Sequence, residues 1–312
     1  EELLTTTGLM RIALVATCWV AACSACLLHG GRTAVRPRAA PRLMATASAD
    51  LELEMAWCAR IVREAADMLA EADADAANQL LEFEMTQERL GMGPAEGCVG
   101  GKSWVCHVDD HVVSLALVDN THGPLISAVC RPSTDELLCG ARDLGAYLQI
   151  GLGERESAPA VGLASTKYHV VHVPHNKCPE VEQVMENLCE CMPVDITRVP
   201  CCCCCEGLFE LLSGRADMHL SPPEYCLSVE PTPVAVLCAF EVLLGESGGC
   251  MRDVLGNEID LVRAMRRGSH TGGVLASAEP SLNYMLKHVA PAFEANRLFA
   301  PVPPAATEEV GG

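Results

Sequence analysis

The order of apolar patterns predicts a layered α/β fold in which helices pack between sheets. Three stretches carry the prediction: an apolar repeat at three-to-four spacing, then short β-type runs separated by turn residues, then alternating strand and helix patterns from residue 151 onward. The 312 residues, 50% of them hydrophobic, are ample for a buried core.

The helical repeat runs from Leu51 to Phe83 through Met55, Ala59, Ile61, Val62, Ala65, Met68, Leu69, Leu80 and Leu81, with a break expected near Asp73-Ala74-Asp75. Gln87 to Ser103 is Gly-rich, lacks periodicity and reads as loop. Val112–Val118, Leu125–Cys130 and Leu137–Leu138–Cys139 are β-type, divided by turns at Asp119–Gly123 and Pro132–Thr134, which makes an antiparallel meander. After the Gly, Glu, Ser and Pro cluster at 151–159, strands are expected at Val161–Val173, Asp195–Val199, Ala216–Leu220 and Gly272–Ala276. Helices are expected at Pro179–Met192, Glu206–Ser213 and Val234–Leu244, and a last one capped by Ser277 runs through Ala295. Residues 50–150 and 151–306 form the two halves of the fold, and 307–312 a frayed tail.

The front of the chain differs in composition. Between Leu3 and Ala49 there is no Asp or Glu, and five Arg occur. Met10-Arg11 followed by apolar Ile12–Leu28 matches a signal-peptide core. Gly30–Ala49, rich in Arg, Ala and Pro, is transit-peptide-like. Residues 1–49 are therefore expected to address the protein to an organelle, a plastid first, with the secretory pathway as the alternative. Membrane contact is expected only through the apolar segment if it is retained. A formal charge of −19 and an aromatic content of 4% argue against nucleic-acid binding.

Nineteen scattered Cys in a chain this large do not suggest a disulfide framework, and five are consecutive, Cys201–Cys205. That run is expected to be a small-residue turn or strand rather than a soft-metal site, since structural zinc sites favour spacers between ligands. His107 and His111, near Cys98 and Cys106, would suit a zinc site on a helix. The following strand favours packing histidines instead. Gly97–Ser103 resembles a phosphate loop but has Glu96 where the first Gly belongs.

Set in order, several segments resemble the lithium-sensitive, magnesium-dependent phosphatases of the inositol monophosphatase family, and within it 3′(2′),5′-bisphosphate nucleotidase. They are Val112–Val118, the Gly123 turn, Leu125–Pro132, Gly140–Tyr147, Glu210–Asp217 with Ser221-Pro222, Cys238–Leu244 with Gly248-Gly249, Asp253–Asn257 and Gly272–Ser277. The resemblance implies an α-β-α-β-α sandwich and phosphomonoester hydrolysis, adenosine 3′,5′-bisphosphate to AMP in the nucleotidases, with carboxylate-held Mg2+ as cofactor.

It also assigns sites. The family's Trp, one or two apolar residues and Asp-Pro-Ile/Leu-Asp-Gly-Thr fall on Trp104–Asp110. With one residue after Trp104, Cys106 replaces the first Asp and Asp109 is the second; with two, Asp110 is the second. Gly-Thr is missing in either register. Glu96 stands for the upstream acidic ligand, and the late Trp-Asp falls on Ala235-Val236, with Glu230 as a possible substitute. The nucleotide-contacting segment corresponds to Cys202, Cys203, Cys204, Cys205, Glu206 and Gly207. The expected function is thus a divergent nucleotidase-like protein with weak or no catalysis, kept as a binding or structural subunit for a protein partner. The alternative is an active Mg2+ phosphatase with a metal site rebuilt from Glu96, Asp109, Asp110 and Glu230.

Overall fold

The structure, a computed structural model, describes residues 44–71, 74–91, 101–161, 167–172, 179–191, 195–200, 203–224, 226 and 231–297. Helix α1 (Met44–Ala70) starts before the expected Leu51, and α2 begins at Ala74, so the break falls where the acidic shoulder predicted it. Helix α2 (Ala74–Gly91) then extends into the segment read as loop.

A six-stranded antiparallel meander follows: β1 (Lys102–Val108), β2 (Val113–Asp119), β3 (Gly123–Arg131), β4 (Glu136–Ala141), β5 (Gly145–Ile150) and β6 (Glu156–Ser157), each paired with the next. Its turns have local causes. Asp119 Oδ1 accepts the amides of Thr121 and His122, and Gly123 adopts φ +79°, a left-handed conformation that favours glycine. Pro132–Thr134 forms a single 3-10 turn ending on Asp135 at φ 48°.

The second half supplies β7 (Lys167–His172), α3 (Pro179–Cys191), β8 (Asp195–Pro200), α4 (Cys204–Leu212), β9 (Met218–Ser221), β10 (Thr232–Pro233), α5 (Val234–Glu246), β11 (Gly249–Arg252), α6 (Leu261–Met265), β12 (Ser269–His270), β13 (Val274–Ala278) and α7 (Glu279–Arg297). Strands β11-β13-β9-β7-β8 make a five-stranded mixed sheet, parallel where β7 meets β8 and β9. Ser277, expected as a helix cap, instead lies inside β13, where its hydroxyl donates to the Asp217 carbonyl at 2.8 Å. Strand β11 and helix α6, the latter capped by Asp260, were not expected from the sequence.

Three cores set the layers. On β2, Val113, Leu115 and Leu117 face α1 and α2 together with Met55, Ile61, Val62 and Leu81. The opposite face, with Ala116, Val118 and Val129, packs on α4 and α5 through Leu208, Phe209, Val236, Phe240 and Leu243. That middle layer also meets Val274, Ala276 and Ala278 of the second sheet. Leu275, Met218 and Leu220 point the other way, to α3 and α7 with Val184, Leu188, Met285 and Phe293. The period-two alternation of β2 and β13 thus serves two cores each. The result is the expected α-β-α-β-α sandwich. Residues from both sequence halves share the middle core.

The middle layer is also tied by polar contacts. Ser127 Oγ donates to the Ala239 carbonyl at 2.6 Å, joining β3 to α5. Arg131, Glu136, Glu210 and Arg215 form a partly buried ion-pair ring between the meander and α4. Its links are Arg131–Glu210 at 2.6 Å, Arg215–Glu136 at 2.6 Å and Arg215–Glu210 at 2.7 Å. The Arg131 guanidinium lies 4.4 Å from the Phe209 ring centroid. No helix among the described residues is long and apolar enough to cross a membrane.

Candidate functional site

Strand β1 pairs with β2 from Lys102↔Asp119 to Val108↔Val113, so only residues 109–112 connect them. The connection closes on itself: the Asp109 amide donates to the Val112 carbonyl at 3.1 Å. Asp109 Oδ1 accepts the amides of His111 and Val112, both at 2.8 Å. A turn this short leaves no place for the Gly-Thr of the family motif.

Alternation along β1 sorts the motif residues. Trp104, Cys106 and Val108 pack toward α1 and α2, where burial and the nearby Glu82 carboxylate push the Cys106 thiol up. Cys106, assigned to the family's first Asp, therefore faces away from the middle layer. Val105 faces the middle core, and His107 shares its side of the strand. Asp110 is exposed and is not part of the donor group that forms.

That group is His107, Asp109 and Cys205, whose ligand atoms all lie within 4.8 Å of one another. His107 Nε2 is 3.3 Å from Asp109 Oδ2. Burial works to raise the Asp109 pKa. Hydrogen bonds from His107, the amides of His111 and Val112, and the Cys205 thiol outweigh it and hold the carboxyl at about 2. Asp109 is thus a fixed carboxylate. The reading of His107 as a packing residue misses this grouping; the signal available in the sequence was the i, i+2 spacing of His107 and Asp109 just before a turn.

Cys205 comes from α4, which starts two residues earlier than the sequence suggested because Cys203 caps it, its Sγ accepting the Glu206 amide at 3.4 Å. The supposed nucleotide loop is therefore a helix turn: Cys204, Cys205 and Gly207 are buried and Glu206 is half-buried. The Cys run, expected as a small-residue turn or strand, is thus helical from Cys204 onward. Cys204 turns to β9, with Sγ 3.3 Å from His219 Nε2. Burial, first of all, pushes its thiol up to about 12. Cys205 is raised by its hydrogen bond with Cys203 and by burial.

Val236, at the position of the late Asp, is fully buried in α5. Glu96, Glu230 and Cys202 lie outside the described residues. One further polar group belongs to the site. Ser114 pairs with His107 across the hairpin, is fully buried, and its Oγ has no hydrogen-bond partner among the described residues.

No protein-family model matches the sequence, and no curated protein matches it. Solved structures do. The extragenic suppressor protein SuhB from Bartonella henselae aligns at 15% identity and TM-score 0.54, over 75% of this chain and 97% of that one. The inositol monophosphatase from Anabaena (Nostoc) aligns at 16% identity and TM-score 0.55, over 82% and 98%. SaIMPase-II, solved with 2′AMP bound, aligns at 11% identity and TM-score 0.58, over 82% and 98%. Likeness at such low identity establishes the fold.

Proposed function

We propose that this chain, which has the fold of the inositol monophosphatase and SuhB structures, is a divergent bisphosphate-nucleotidase-like protein with little or no Mg2+-dependent hydrolysis, kept as a binding or structural subunit. One observation carries the reading: the donor group at the motif position consists of one imidazole, one thiol and one carboxylate. Mg2+ demands octahedral oxygen coordination and is held by carboxylates together with waters and substrate phosphate. The donors that the described residues bring together do not fit it. A buried valine at the late Asp position supports the same reading.

The setting proposed from the sequence is an organelle, a plastid first, with a protein as the partner. The neighbour solved with 2′AMP gives a reason to include nucleotides among the ligands tried.

The test is phosphate release with Mg2+ from adenosine 3′,5′-bisphosphate, 2′-AMP and inositol monophosphate. The expected result is release no faster than from Asp109→Asn. Robust turnover that Asp109→Asn or Asp110→Asn abolishes would overturn the proposal and favour the active phosphatase with a rebuilt site.

A further inference from the structure

From the same donor group we infer a binding site for a single borderline-soft divalent cation, Zn2+ in the first place, held by His107 Nε2, Asp109 Oδ2 and Cys205 Sγ. The inference deepens the reading of a site no longer suited to Mg2+.

Five features support it. The donors come from separate elements: His107 from β1, Asp109 from the turn and Cys205 from the first turn of α4. Their atoms lie within 4.8 Å of one another, and tetrahedral zinc with bonds of about 2.0–2.3 Å needs its ligands roughly 3.5 Å apart, so small side-chain adjustments close the site. The set of one imidazole, one thiolate and one carboxylate is zinc chemistry, in contrast to the all-oxygen shells of Mg2+ and Ca2+. Asp109 is oriented as outer-shell hydrogen bonds orient metal ligands: two backbone amides hold Oδ1, leaving Oδ2 turned to His107.

The fifth feature is Ser114. It is fully buried, its hydroxyl has no partner among the described residues, and it stands directly across from His107 in the hairpin. Directly opposed side chains on one face have Cβ atoms about 5 Å apart. A buried hydroxyl without a partner is costly. A water completing the tetrahedron gives this hydroxyl its partner, so the site has three protein ligands and one exchangeable position.

The experiment uses the full chain, purified reduced and stripped of metal with a chelator. Zn2+ is titrated against a chromophoric competitor, and Co2+ is added as the spectroscopic probe. Expected are one tight equivalent of Zn2+ and, with Co2+, the thiolate charge-transfer absorption and intense visible bands of a tetrahedral site. Cys205→Ser and His107→Ala should each lower the affinity by more than about 100-fold. Ser114→Ala should lose about tenfold, within the range of outer-shell partners. Cys189→Ser, at an exposed thiol, should change nothing. Circular dichroism of each variant separates lost binding from lost folding, and Asp109→Asn supplies a second ligand variant if one fails to fold. Absence of a stoichiometric tight site, or a tight site that survives both Cys205→Ser and His107→Ala, overturns the inference. These readouts are metal binding alone. Mg2+-driven turnover would sink the proposed function without touching the zinc site, and failure to bind Zn2+ would leave the functional reading standing.

Discussion

His107 Nε2 lies 3.3 Å from Asp109 Oδ2 across the end of β1, while the neighbouring Asp110 is exposed. The two consecutive aspartates therefore have different jobs. Asp109 Oδ1 holds the turn through two amides, an arrangement equivalent to a helix cap. Asp109→Ala should cost about 1–2 kcal/mol, as losing a cap does. Asp110→Ala should stay within about 0.5 kcal/mol of the parent, as surface changes do. Urea unfolding of the two variants side by side measures the contrast.

Val236 sits fully buried where the resemblance assigns a metal-binding Asp. Val236→Asp should destabilise the chain by ~3 kcal/mol or more, because a carboxylate there has no described partner and must be desolvated or protonated. It should not raise phosphate release with Mg2+. Recovery of turnover without a loss of stability would show that a carboxylate at 236 is enough to rebuild the site.

Three members of the ion-pair ring joining the meander to α4 are largely buried, with side-chain exposures of 10% for Arg131, 6% for Glu136 and 18% for Glu210, while Arg215 is 41% exposed. Removing Arg131 leaves Glu136 and Glu210 sharing Arg215 as their cation, so Arg131→Ala should cost about 1–3 kcal/mol, less than a fully broken buried pair. It also loses the stacking on Phe209. Thermal and urea denaturation report the effect.

The same ring predicts a pH dependence. Burial acts to raise the Glu136 pKa, but hydrogen bonds from Arg215 and Thr134 and the Arg215 and Arg131 charges hold it below the ordinary value of 4.5. A carboxyl depressed in the folded state binds fewer protons there than in the unfolded chain. Its contribution is complete above about 4.5 and falls away as the pH drops through the lower folded value. The stability gap between the parent and Glu136→Gln should therefore narrow below pH ~4.5, as measured by urea midpoints across that range.

Buried thiols should be chemically silent. Burial pushes Cys130 and Cys238 up to about 12 and raises Cys139. Reactivity needs both thiolate and access. Alkylation of the native protein at pH 8, read by mass spectrometry, should label exposed Cys189 rapidly, and Cys130, Cys139 and Cys238 only on unfolding.

Wherever local periodicity decides an element, the sequence by itself determined it: the break before α2, the meander of β2 to β4 with its Asp119 and Pro132 turns, α3, and the buried helix α5. The order of those elements fixed the layers, because each apolar face has one kind of surface to cover. Local boundaries shifted where a tertiary partner intervened. Ser277 was drawn into β13 by pairing with Cys250 and Met218, and Cys203 extended α4 by capping it. The site depended still more on tertiary structure. Asp109 was named from the motif, but nothing local says that Cys205, ninety-six residues further on, meets it. That meeting follows from strand alternation turning His107 inward and Cys106 outward, and from the packing of α4 against the meander, where side chains distant in sequence are brought within ligand reach.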